Sequence, residues 1–186
     1  MLYIVPEVNF LFERPIPESK SWYLERQVDR WQIAQEKLES HNLVLFDGDP
    51  FQPLWYNWIY QNDYPGSLPF LNEFYSSQIQ KGNIEFPDLY IHLSLNEKEL
   101  RKRKENDKTR RRRNFEKHLG LIEPQKRFFQ HMNAISPGLV KFVDAVSIEG
   151  NIDIIEGFIA SEKKINQDSL YILENIMKWL KDIEVN

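Results

Sequence analysis

Four short apolar runs punctuate an otherwise amphipathic chain: Leu2 to Val5, Leu43 to Phe46, Leu89 to Leu93, and Leu139 to Val146 with Lys141 and Asp144 interrupting it. Runs of this length predict strands, and the stretches between them carry the longer period of helices. From Ser19 to Ser40, Leu24, Val28, Trp31 and Leu38 fall near one face and the Glu and Lys residues elsewhere. That pattern predicts an amphipathic helix packed on a sheet. Asp47, Gly48, Asp49 and Pro50 end the second strand, and helices are expected over Leu54 to Gln61 and Leu68 to Lys81, with Gly82 suited to a left-handed stop. Asn96 followed by Glu99 starts a basic helix in the manner of a capping box. Pro124 opens another helix, and Ile152, Ile155 and Ile159 mark one after the fourth strand. Leu170, Leu173, Met177 and Leu180 predict a C-terminal helix over about 167–182.

Strands separated by helices of this length imply parallel pairing, because a parallel return needs a crossover that a hairpin does not. The expected fold is therefore α/β, a three-layer sandwich around a mostly parallel sheet. At 186 residues and 41% hydrophobic content, the chain predicts a single domain over 1–186. Aromatics at 13% point to large side chains closing helices over the sheet. No apolar stretch approaches the roughly 20 residues that cross a bilayer. The opening residues include Glu7, Glu13 and Arg14 rather than a basic start and an apolar run, so no secretory leader is expected. The absence of cysteine removes disulfides, thiolate metal sites and cysteine nucleophiles, and makes a reducing, cytoplasmic setting the default.

Charge changes this picture in one place. Arg101 to Arg113 holds nine basic residues against Glu105 and Asp107, a local +7 that leaves −11 on the rest of a chain whose total is −4. One segment is built to meet anions.

Open parallel sheets bind ligands beyond the carboxyl ends of their strands. Those ends read Val5-Pro6-Glu7, Phe46-Asp47-Gly48-Asp49-Pro50, and the third strand running into the arginine-rich segment. The stretches VPEV at 5–8, VLFDGDPFQPLWYN at 44–57, PDLYIHLSLNEKEL at 87–100 and RKRKENDKTRRRRNFEKHL at 101–119 together resemble the P-loop nucleoside and nucleotide kinases and the related bacterial kinase-like ATPases. The resemblance spans most of the chain and implies ATP-dependent phosphoryl transfer to a small acceptor such as a nucleoside or nucleotide, with ATP and Mg²⁺ as cofactors. It implies Glu7 as the base at the acceptor hydroxyl and Asp47 as the support for substrate or Mg²⁺. The segment at about 101–114 resembles the lid that closes over ATP. Its candidates for stabilising transition-state charge are Arg103, Arg110, Arg111, Arg112 and Arg113, with Arg110 and Arg112 on the nucleotide. Arginine suits that role because its planar fork binds phosphate oxygens in pairs.

Two departures from the family pattern stand out. Gly48 occupies the position after the acidic residue, where the family carries Arg as a substrate clamp. The chain also lacks G-x-x-x-x-G-K-[ST], whose backbone amides hold the β- and γ-phosphates and whose hydroxyl holds Mg²⁺. As printed it is expected to be inactive. In the family the strand before that loop lies mid-sheet, between the counterparts of Leu43 to Phe46 and Leu89 to Leu93. Its absence should leave two strand edges unpaired, and Met1 is then not expected to be the natural start.

Plainer readings accompany each candidate. The arginine run could be a solvated helix face or, in a non-catalytic binding module, a patch for RNA or another anionic partner; interleaved aromatics, which a nucleic-acid stacking surface needs, are missing from it. Glu7 could be a strand-end carboxylate facing water, and Asp47-Gly48 a turn pair. Asp49 before Pro50 is expected to be a turn or helix-start residue rather than a metal ligand. Trp55, Tyr56 and Trp58 either line an acceptor pocket or fill core. His41, His92, His118 and His131 show no ligand spacing, and His92, inside a strand, is expected to be a satisfied packing residue.

Overall fold

Helices and strands alternate along the chain, and the computed structural model describes them for residues 1–60, 66–107, 115–145, 147–161 and 168–183. The protein is mixed α/β, and its strands pair in parallel as two separate two-stranded sheets. The chain gathers into two compact units, Met1–Phe86 together with Asp168–Asn186, and Pro87–Gln167.

The first unit begins with β1 (Leu2–Val5), α1 (Val8–Leu11), α2 (Trp22–Leu38), β2 (Leu43–Phe46), α3 (Gln52–Ile59) and α4 (Leu68–Gln80). β1 and β2 pair in parallel with Leu2 opposite Leu43 and Val5 opposite Phe46, so partners share a face. α2 covers the face bearing Tyr3 and Phe46. Trp31 stacks on Phe46 at 5.7 Å, and the Lys37 ammonium sits 5.1 Å above the Tyr3 ring. On the opposite face Leu2, Ile4 and Leu45 stay exposed. α2 starts at Trp22 rather than Ser19. α3 starts at Gln52 rather than Leu54, with Pro53 in its first turn, where a missing N–H breaks no bond. Phe51 stacks on Phe86 at 3.9 Å and tilts against Tyr75 at 4.8 Å, forming the centre of this unit's core with Leu54, Trp58 and Leu71. Trp55 and Trp58 are thus core residues.

The second unit runs through β3 (Tyr90–Ser94), α5 (Glu97–Asn106), α6 (Phe115–Leu119), α7 (Ile122–Ile135), β4 (Val140–Asp144) and α8 (Ile148–Ser161). β3 and β4 pair in parallel from Tyr90 opposite Val140 to Ser94 opposite Asp144. α7 lays Phe129 against Tyr90 and His92, at 5.5 and 5.3 Å. α8 meets the opposite face, where Lys141 lies 5.8 Å from the Phe158 ring. As expected, Asn96 caps α5 by accepting the Glu99 N–H at 2.9 Å. No residue of α5 is buried.

The last helix, α9 (Ser169–Asp182), belongs to the first unit. Asp168 caps it through the Tyr171 N–H at 3.0 Å. Ile172, Leu173, Ile176, Met177 and Leu180 are buried along it, and Trp179 packs against Trp58 at 5.0 Å. The Phe86 N–H donates to Ser169 Oγ at 3.0 Å. Among the described residues β2 and β3 each have one strand neighbour, so the four strands do not join into a single sheet. No helix among these residues is long and apolar enough to cross a membrane.

Candidate functional site

Two groups of polar side chains lie at the carboxyl ends of the parallel pairs, one in each unit. In the first unit the ladder extends one residue past the strands, since the Asp47 N–H donates to Val5 O at 2.9 Å. The chain then turns at Gly48, whose φ of +86° is left-handed. A Cβ at this position would lie 3.7 Å from Glu7 Cγ and 3.9 Å from Glu7 Oε1. Glu7 therefore packs against the turn that follows Asp47, and the two carboxylates, far apart in sequence, share one end of one strand pair. The left-handed backbone explains the glycine: an arginine here would be strained at this φ, although a Cβ would meet Glu7 only at ordinary contact distance.

Asp49 does different work. Its Oδ1 accepts the Phe51 N–H at 2.8 Å and its Oδ2 accepts the Trp55 indole N–H at 3.0 Å, so both oxygens are engaged in starting α3. No group of three or more His, Asp or Glu side chains that could hold a metal ion is found among the described residues. A Mg²⁺ held by one or two carboxylates and substrate phosphates needs no such group.

Under this turn lies Arg30, from the middle of α2 and only 1% exposed. Its Nη2 donates to Asp47 O at 2.6 Å, to Gly48 O at 3.2 Å and, at 3.5 Å, to Val5 O. Its Nη1 donates to the buried Gln27 Oε1 at 2.7 Å, and its plane lies 5.4 Å from the Phe46 ring. Burial lowers the pKa of this guanidinium, while the nearby Tyr23, Asp49, Glu7 and Asp47 act in the opposite sense. Burial likewise raises the pKa of the Tyr23 phenol, which donates to Gln52 Oε1 at 3.2 Å.

The second unit carries an open cavity of about 900 Å³ at the carboxyl ends of β3 and β4. Ser94, Asp144, Arg103, Lys126, His92 and His118 stand in its wall. Ser94 Oγ donates to Asp144 Oδ1 at 3.1 Å, joining the last residues of the two strands. Arg103, a sequence candidate, donates from Nη2 to Ala145 O at 2.7 Å and thereby fastens α5 to the turn after β4. Its neighbour Arg101 is occupied by two carboxylates, Glu97 and Glu116. The Arg101–Glu116 hydrogen bonds lower the pKa of Glu116 and raise that of Arg101. Arg110, Arg111, Arg112 and Arg113 lie outside the described residues.

His92 is the packing residue expected inside its strand, but it is not satisfied among the described residues. It packs between Phe129 and Phe142, at 5.3 and 5.4 Å, yet its buried Nδ1 has no hydrogen-bond partner among the described residues. Burial holds its pKa below 6.5, helped by the positive charge of Lys126.

Arg30 and Asp144 were not singled out from sequence, though both left a trace. Arg30 shares the buried stripe of α2 with Leu24, Gln27, Trp31 and Ala34, and a charge on an apolar stripe asks for a reason. Asp144 breaks the apolar run of the fourth strand at its carboxyl end. Lys126 and His118 gave no signal, because only the packing of α6 and α7 brings them to the cavity. Compared with known proteins, the chain matches no family model, no curated protein and no solved structure.

Proposed function

We propose that this chain belongs to a nucleoside- or nucleotide-kinase-like phosphotransferase, one that moves the γ-phosphoryl of ATP to a hydroxyl of a small acceptor. The observation that carries the reading is Glu7 lying against the Asp47–Gly48 turn at the carboxyl end of a parallel strand pair. In this reading Glu7 takes the proton of the acceptor hydroxyl as its oxygen bonds to phosphorus and the bond to the leaving ADP breaks. Asp47 supports Mg²⁺ or the acceptor. Arg103, Arg110, Arg111, Arg112 and Arg113 balance the charge that develops on the phosphoryl oxygens, with Arg110 and Arg112 on the nucleotide.

Two further features support it. The second unit's cavity falls within the size range of ligand sites for small molecules and has Arg103 and Lys126 in its wall. β2 and β3 each keep an edge free of strand pairing among the described residues, and these are the strands whose counterparts flank the phosphate-loop strand in the P-loop kinase fold. That fold, a three-layer sandwich on one parallel sheet, is part of the proposal.

The reading predicts that in-frame codons before Met1 encode a strand, a G-x-x-x-x-G-K-[ST] loop and a helix, and that the extended chain binds ATP–Mg²⁺ and phosphorylates a member of a nucleoside panel. Calorimetry and transfer of labelled γ-phosphate check it. No such codons, together with no heat of ATP binding, would leave the basic segment as the surface of a non-catalytic module. Steeply salt-dependent RNA affinity would then identify that module's partner.

A further inference from the structure

A buried arginine with no carboxylate in contact is an expensive residue. Taking a guanidinium out of water costs several kcal/mol, and a well-packed apolar side chain of similar volume often does as well or better for stability. Arg30 is 1% exposed, and none of the ion pairs among the described side chains includes it. What the guanidinium does contact is backbone. Three carbonyl oxygens, of Val5 at the end of β1 and of Asp47 and Gly48 beyond β2, converge on one nitrogen, and the other terminal nitrogen is held by Gln27.

Two of these carbonyls have a particular need of a donor. Asp47 O and Gly48 O lie past the last ladder pair, where the strands no longer satisfy them and the left-handed Gly48 carries the chain away. Stacking on Phe46, a residue of β2, fixes where the fork can sit.

We infer that Arg30 is a positioning residue for the carboxylate end of the first unit: its fork ties the ends of β1 and β2 together and so sets the backbone from which Glu7 and Asp47 are presented. Its catalytic meaning rests on the phosphotransferase reading; its effect on the turn does not. Arg30 itself faces no solvent and touches no substrate. The charges of Asp49, Glu7 and Asp47 act against the effect of burial on its pKa.

The test is amide hydrogen exchange on the full chain, comparing the Asp47 N–H, bonded to Val5 O, and the Phe51 N–H, bonded to Asp49 Oδ1, with the Leu71 N–H, bonded to Ser67 O in α4. Arg30→Met keeps volume and removes the fork. It is expected to lower protection at Asp47 and Phe51 by about tenfold or more, the cost of one or two hydrogen bonds to a charged group, and to leave Leu71 near wild type. Arg30→Lys, which keeps one donor group for these carbonyls but loses the second nitrogen held by Gln27, is expected to fall between the two. In Arg30→Ala, millimolar methylguanidine should restore protection at Asp47, a rescue that space filling alone would not give.

Uniform loss of protection at all three amides in Arg30→Met, or wild-type protection at Asp47 in both Met and Lys variants, overturns the inference. If Arg30→Met does not fold, Arg30→Lys and the methylguanidine rescue decide: full protection with lysine, or no rescue, overturns it equally. Failure to bind ATP sinks the phosphotransferase reading and leaves these exchange results standing.

Discussion

At the scale of single residues, chemistry in this protein follows from what burial does to charge. His92 is the clearest titratable case. Its folded pKa is depressed, first by burial and then by Lys126, below the ordinary 6.5 of the unfolded chain. The folded state then refuses a proton that the unfolded state accepts, so the stability it contributes is present above pH 6.5 and is lost as pH falls through that value. His92→Phe, placing a third ring between Phe129 and Phe142, is expected to flatten this acid limb. Urea titrations followed on the β3 amides at about pH 7.5 and about pH 5 should show a smaller difference in the variant than in wild type. An equal difference would assign the acid sensitivity to other groups. The Asp49 carboxylate illustrates the opposite outcome of sequence reading: expected at a turn or a helix start, it begins α3 with both oxygens.

At the scale of elements, α5, like α8, buries none of the side chains it carries. Its stability comes from the Asn96 cap, from Glu97 and Glu99 in its first turn, from Arg103 and Lys104 in its last, and from exposed ion pairs of Arg101. Exposed pairs contribute little, and acid and base at the correct ends of a helix add only tenths of a kcal/mol each. Among these terms within the helix the cap is the largest, beside the tie of Arg103 to Ala145 O. Asn96→Ala should therefore cost about 1 kcal/mol, read as faster exchange of the α5 amides while those of the buried α7 hold. Where element boundaries differ from the sequence expectation, the reason is local. The Leu89 to Leu93 run becomes Tyr90–Ser94 because Ser94 and Asp144 complete the register, with the Ala145 N–H donating to Ser94 O at 2.8 Å.

At the scale of the whole molecule, the chain leaves its first unit after Phe86 and returns to it at Asp168. The return matters energetically, since α9 buries five large apolar side chains in that unit. Leu173→Ala, at a fully buried position, should cost about 2–5 kcal/mol through lost transfer energy and the cavity left behind. All 5 tryptophans, Trp22, Trp31, Trp55, Trp58 and Trp179, belong to this unit, so the urea midpoint followed by tryptophan fluorescence reports it directly. An unchanged midpoint would show that α9 is dispensable there.

Local sequence determined the strands, the parallel sense of their pairing, the longer helices between them, the Asn96 cap and the left-handed Gly82, because each depends on residues near one another in the chain; the short α1 and α6 left no such signal. It also placed Glu7 and Asp47 at strand ends. Tertiary structure decided the rest. It gathered the strands as two pairs, brought Glu7 against the turn at Gly48, put Arg30 beneath that turn, and set Lys126 and His118 around a cavity with Asp144. Those outcomes depend on which faces of distant elements pack together, and a hydrophobic pattern says that a face is buried without saying against what.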